Sequence, residues 1–200
     1  RPMPRLSGIA GPLLIVSLLL HSGCQPELNS LMETLESPDP TERLAAIKQI
    51  EKRIERQQAD ELDAKPLAAA LSDADAMVRY RAAKCLAKLE DRAIPAIPEL
   101  AVAMLDQQNE DRIRYYAAKA LCKIGDDSQD VLPQLMQALD DANDDVVCYA
   151  MRTLGKIGSS ARPAVPRLRQ LKRSNSVAIQ QVAEEALNMI DQSQRQVAAN

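Results

Sequence analysis

Lys48, Lys84, Lys119 and Arg152 follow one another at steps of 36, 35 and 33 residues, and Lys52, Lys88, Lys123 and Lys156 repeat those steps four places on. Arg81, Tyr116 and Tyr149 form a third row, three places ahead of the first. Cations in register beside aromatic rings are binding chemistry. They hold carboxylates or phosphates and offer rigid contact area. Catalysis has less to work with. The only histidine is His21, so the chain from residue 24 onward has no Ser-His or Cys-His nucleophile and no imidazole for a metal. No glycine-rich phosphate loop or dinucleotide fingerprint occurs. Carboxylate pairs do occur, at Asp126/Asp127, Asp140/Asp141 and Asp144/Asp145. They stand in polar turns between apolar runs, where helix capping explains them better than acid–base work. No catalytic residue, cofactor or metal is expected.

The register of the cations comes from a repeated helix. Residues 82–91 read AAKCLAKLED, 117–126 AAKALCKIGD, 150–159 AMRTLGKIGS and 183–192 AEEALNMIDQ, with a looser copy, AIKQIEKRIE, at 46–55. With Val78, Ile113, Val146 and Ile179 as position zero, apolar or small residues recur at +4, +8 and +11, for example Ala117, Leu121 and Ile124. Those offsets trace one face of an α-helix. The cationic rows at +6 and +10, with +3, lie on another face of the same helix. Asp75, Asp111 and Asp144 are placed to cap these helices, and Gly125 and Gly158 to stop them in a left-handed conformation.

Ahead of each block runs a shorter apolar pattern. It reads PLAAAL at 66–71, PELAVAML at 98–105, PQLMQAL at 133–139 and PRLRQL at 166–171, with LNSLMETL at 28–35 lacking the proline. Proline suits a first helical turn. The unit is therefore helix A, a polar turn, helix B and a short turn into the next A. One such hairpin buries too little to offset the ordering of about 33 residues at roughly 1–2 kcal/mol per backbone, so successive units must stack.

The first 23 residues read as a separate export segment. Arg1 and Arg5 precede an apolar run from Ile9 to Leu20, followed by HSGCQ. Beyond residue 23 acids outnumber bases by five, a mild excess that names no partner class. Cys85, Cys122 and Cys148 have no pairing pattern, and Cys85 falls where two other repeats have Ala, so packed thiols are expected.

Two resemblances add to this reading. Small residues before Cys24 resemble the bacterial lipoprotein signal, with His21 where that family usually has Leu. The resemblance implies lipidation of Cys24 and attachment to a membrane, with Gln25 favouring the outer membrane; an ordinary cleaved signal and an uncleaved anchor are the alternatives. Asp73-x-Asp75-x-x-Val78-Arg79-x-x-Ala82-Ala83-x-x-Leu86 and Asp111-x-Ile113-Arg114-x-x-Ala117-Ala118 resemble the HEAT repeat, especially the short PBS-lyase HEAT-like kind. That resemblance implies an all-α, right-handed α-solenoid of about five helix pairs over residues 27–190, followed by a polar C-terminal tail at 191–200.

It further implies an Arg–Asp ladder through Arg43, Arg79 and Arg114. The ladder should lapse at Val147 and Gln180, which replace the Arg in the last two repeats. B helices line the concave side in this family, which would turn Lys48, Lys52, Arg81, Lys84, Lys88, Tyr116, Lys119, Lys123, Tyr149, Arg152 and Lys156 into a basic inner wall. The expected function is a non-enzymatic scaffold that binds another protein, one with an acidic surface. Nucleic-acid binding through the same wall is the first alternative, set back by the export signal and the net acidity. A bilin-lyase-like enzyme is the second.

Overall fold

Five prolines start helices in this chain, and each opens one because a fixed φ and a missing N–H cost nothing in the first turn. Pro40, Pro66, Pro98, Pro133 and Pro166 occupy the first or second helical position. The computed structural model describes residues 27–199. Ten α-helices run through them in five antiparallel-type pairs: α1 (Leu28–Thr34) with α2 (Pro40–Glu55), α3 (Lys65–Ala69) with α4 (Ala76–Leu89), α5 (Ile97–Leu105) with α6 (Asp111–Ile124), α7 (Leu132–Gln137) with α8 (Asp144–Ile157), and α9 (Val165–Leu171) with α10 (Val177–Ala199). No strand occurs among the described residues. The fold is an α-solenoid of five stacked helix pairs.

The B helices carry the stack. Helix α2 packs on α4, α4 on α6, α6 on α8 and α8 on α10, whereas consecutive A helices touch one another less. The +4 alanines, Ala82, Ala117, Ala150 and Ala183, are fully buried and small enough for a neighbouring element to approach closely. Leu86, Leu121 and Leu154 at +8 fill the space beyond and are equally inaccessible. Each contributes about 1.5–3 kcal/mol by leaving water. Gly155 takes the close approach furthest, since a Cβ there would meet the Cα of Ala186 at 3.1 Å.

The ladder joins consecutive turns, with Asn109 in place of the expected Asp at its middle rung. Arg43 forks onto Asp73 (Nε to Oδ2 2.6 Å, the second guanidinium nitrogen to Oδ1 2.8 Å) and donates to the carbonyl of Ser37. Arg79 reaches Asn109 Oδ1 at 2.9 Å, and Arg114 forks onto Asp141 at 3.0 and 3.2 Å. Past Val147 it ends; Gln180 keeps only the local bond, donating to the carbonyl of Ser174 at 2.6 Å.

Three local expectations are corrected. The caps of α6 and α8 lie one residue before Asp111 and Asp144, which are the first helical residues and face the macrodipole. Asn143 caps α8 by accepting from Asp145 N–H at 2.9 Å, while Glu110, too long to fold back, leaves α6 without a side-chain cap and pairs with Arg112. Gly125 and Gly158 do have positive φ (81° and 69°), but ψ near −126° and −130° makes them the opening of a seven-residue 3-10 link to the next A helix, not left-handed helical stops. Glu90 takes the same conformation without being glycine, at φ 52°.

The third correction concerns the end of the chain. Residues 191–199, read as a polar tail, continue α10. Gly158 is the reason: with no Cβ it lets the Ser193 hydroxyl come close enough to accept the Ser159 N–H at 3.1 Å. An Asp191–Arg195 pair adds support one turn on. At the other end α2 stops at Glu55, and the link to Pro66 buries Ala59, Leu62 and Ala64.

Candidate interaction face

Most of the +3, +6 and +10 residues from α4 onward reach residues of the preceding B helix or their own tyrosines, and they do not make a uniform basic wall. At the N-terminal end one carboxylate gathers them. Glu51, at +9 of α2 and nearly inaccessible, receives Arg81 at 2.5 Å, Lys84 at 2.7 Å and Lys88 at 3.2 Å, all from α4. Lys88 also bonds the exposed Glu55. Burial works to raise the Glu51 carboxyl, and the hydrogen bonds from Lys84 and Lys88 outweigh it, holding it below the ordinary carboxylate range. Lys84 is raised by its bond to Glu51, and Lys88 rises too, its bonds to Glu55 and Glu51 overcoming partial burial. Three of the expected binding cations are thus spent inside the chain.

The next two rungs are built differently. Tyr80 meets Tyr116 edge to face with centroids 5.6 Å apart, Tyr116 meets Tyr115 at 4.9 Å, and Tyr115 meets Tyr149 at 5.4 Å. All four tyrosines of the chain therefore form one run across α4, α6 and α8. Lys119 Nζ lies 5.6 and 5.7 Å from the centroids of Tyr115 and Tyr116, and the Arg152 guanidinium lies 5.6 Å from that of Tyr149. Arg112 covers Tyr80 at 4.6 Å. Burial, followed by a hydrogen bond with Tyr115, pushes the Tyr149 hydroxyl up to about 12. Neither Lys119 nor Arg152 has an acidic partner among the described residues.

The remaining expected residues are dispersed. Lys123 pairs with exposed Glu90 at 3.0 Å, and Lys156 donates to the backbone carbonyl of Cys122 at 2.6 Å. Lys48 and Lys52 are exposed on α2. Cys24 lies outside the described residues.

Nothing gathers for covalent or acid–base chemistry among the described residues. Burial pushes the Cys85 thiol up to about 12, and Cys122 and Cys148 are also buried and free. Asp141 belongs to the ladder, Asp140 pairs with Arg167, and Asp144 and Asp145 sit in the first turn of α8. No group of three potential metal ligands forms among the described residues.

The family profile for HEAT repeats matches residues 28–112 and 97–188. The chain belongs to the HEAT-repeat family. No curated protein matches it. Solved structures share the HEAT-like solenoid. A computationally designed armadillo repeat protein for modular peptide recognition is 19% identical, with a TM-score of 0.69 over 87% of this chain and 85% of that one. A designed armadillo repeat protein in complex with peptide (KR)4 is 20% identical, with a TM-score of 0.66 over 90% and 87%. The CpcE–CpcF complex of phycocyanin lyase from Nostoc sp. PCC7120 is 22% identical, with a TM-score of 0.65 over 96% of this chain and 71% of that one. At these identities the likeness is one of fold.

Within the HEAT frame, sequence reasoning missed Tyr80, Tyr115 and Glu51. The tyrosines were within reach, because both stand at +2, beside the +3 row. Glu51 was not, since only the first repeat has an acid at +9; Ala87, Cys122, Gly155 and Asn188 occupy the place elsewhere.

Proposed function

We propose that this HEAT solenoid is a non-enzymatic scaffold that binds another protein through the B-helix face centred on α6 and α8. The observation that carries the reading is the four-tyrosine run flanked by Lys119 and Arg152. Aromatic rings that are half-buried and rigid, beside cations left without an acid of their own, match the composition of interface anchors. The partner surface is acidic, which distinguishes this face from one that takes a basic peptide such as (KR)4. Lys84, by contrast, is a poor anchor, because its charge is already engaged by Glu51.

The test uses the partner recovered with the full chain, identified by mass spectrometry and then purified. The double variant K119E/R152E keeps the far-UV circular dichroism of the parent and binds that partner at least tenfold more weakly. Unchanged affinity in a folded double variant refutes the face.

Export and lipid attachment at Cys24 complete the proposal. They rest on the basic start, the apolar run and the small residues before Cys24. Only Gln25 and Pro26 separate Cys24 from Glu27, the residue before α1, so a lipid there would hold the scaffold against the bilayer. The mass of the mature N-terminus decides it: a lipid-modified Cys24 is expected, and an unmodified N-terminal segment argues against the anchor.

A further inference from the structure

Glu51 shows what a ligand carboxylate on this face would look like. It sits at +9 of one B helix and collects the +3, +6 and +10 cations of the next. The equivalent place between α4 and α6 is Ala87, opposite Lys119 and Lys123, and between α6 and α8 it is Cys122, opposite Arg152 and Lys156. Neither supplies an acid. The register is nevertheless the same, because Lys156 at +10 of α8 reaches the Cys122 residue itself and, finding no carboxylate, bonds its carbonyl at 2.6 Å. Between α8 and α10 the pattern ends, with Gly155 opposite Val182, Glu185 and Met189. The face therefore has one internally filled acid slot and two adjacent slots with no acid at +9, where Lys119 and Arg152 have no acidic partner among the described residues, while Lys123 is drawn aside to the exposed Glu90.

We propose, resting on the interaction face above, that an extended acidic protein segment lies across the B helices with its carboxylates in the α4/α6 and α6/α8 slots, and that these acids are three residues apart in a polyproline II conformation. The spacing follows from the helices. Packed helix axes lie about 8–10 Å apart. A polyproline II segment rises about 3.1 Å per residue with three residues per turn, so every third side chain returns to the same side after about 9.3 Å. A β-strand does not fit, because residues three apart point to opposite faces. The tyrosine run lies beside both slots, and such segments dock on aromatic-lined grooves.

The probes are two labelled nine-residue peptides of identical composition. One is three Asp-Pro-Pro triplets; the other has its three Asp contiguous and its six Pro contiguous. Fluorescence anisotropy with the full chain is expected to show the spaced peptide binding at least tenfold more tightly than the block peptide. A87E, which places an acid where the Glu51 pattern puts one, weakens the spaced peptide at least tenfold, and A87Q leaves it unchanged and reports on folding. C122E repeats the test at the second slot should A87E not fold. Equal binding of both peptides overturns the register while leaving the face standing. So does binding of neither by a chain whose purified partner is still released by K119E/R152E. An oligonucleotide that binds more tightly than the spaced peptide overturns the choice of a protein segment. If K119E/R152E keeps its partner, the face itself has failed, and the register falls with it.

Discussion

Replacing Asp141 by Ala lowers the unfolding free energy by about 3 kcal/mol, from the lower end of the roughly 3–5 kcal/mol typical when one partner of a buried ion pair is removed. Arg114 and Asp141 are both nearly inaccessible as side chains, at 5% and 2%. Removing the carboxylate strands a buried guanidinium. The lower end applies because Arg114 keeps Asp111, at 2.8 Å on its exposed side, and the Asn109 carbonyl at 2.7 Å. Asp141→Asn costs less, since Arg79 already makes this rung with an amide, Asn109, at 2.9 Å.

The same pair gives a pH signature. Burial pushes the Asp141 carboxyl up, and the Arg114 hydrogen bond more than reverses it, so the folded-state pKa lies below the ordinary value; Asp73 behaves likewise through Arg43. A depressed carboxyl contributes stability above its unfolded pKa of about 4 and loses it as the pH falls through the folded value. Urea unfolding followed by circular dichroism should therefore show less acid sensitivity in Asp141→Ala than in the parent. Equal sensitivity would mean that the rung contributes nothing.

Leu121→Ala is the second large effect, about 2–5 kcal/mol. Leu121 is fully buried in α6, the middle B helix, which packs on both α4 and α8. In a solenoid each repeat holds only its neighbours, so a cavity in the middle weakens two interfaces together. Leu187, its counterpart in α10, is partly exposed and has one neighbour, so Leu187→Ala should cost under about 2 kcal/mol. The difference is measured by urea denaturation of the two variants. A larger loss at Leu187 would contradict a stack held together mainly by its central B helices.

Much of this was legible because a helical repeat writes its buried face at fixed offsets. Ala82, Ala117, Ala150 and Ala183 at +4 stood out in the sequence and prove to be fully buried. The ladder was legible for the same reason, including its end at Val147. The cap positions of α6 and α8 were not, because Asp111 and Asp144 suit the first turn electrostatically as well as they suit a cap. The helical course of residues 191–199 was hidden as well, since it depends on Ser193 meeting a glycine 35 residues away. For the face, period alone aligned the cations but could not say which were already satisfied. One irregular residue, Glu51, divides them, and a pattern search passes over residues that do not repeat.

The chain has no tryptophan or phenylalanine and only the four tyrosines of the B-helix face, so ring-labelled tyrosine is a probe of that face alone. The most direct measurement is the NMR spectrum of tyrosine-labelled protein titrated with the purified, unlabelled partner. The Tyr116 and Tyr149 signals are predicted to shift and to saturate together with complex formation. A complex that forms while all four ring signals stay in place would put the binding surface elsewhere.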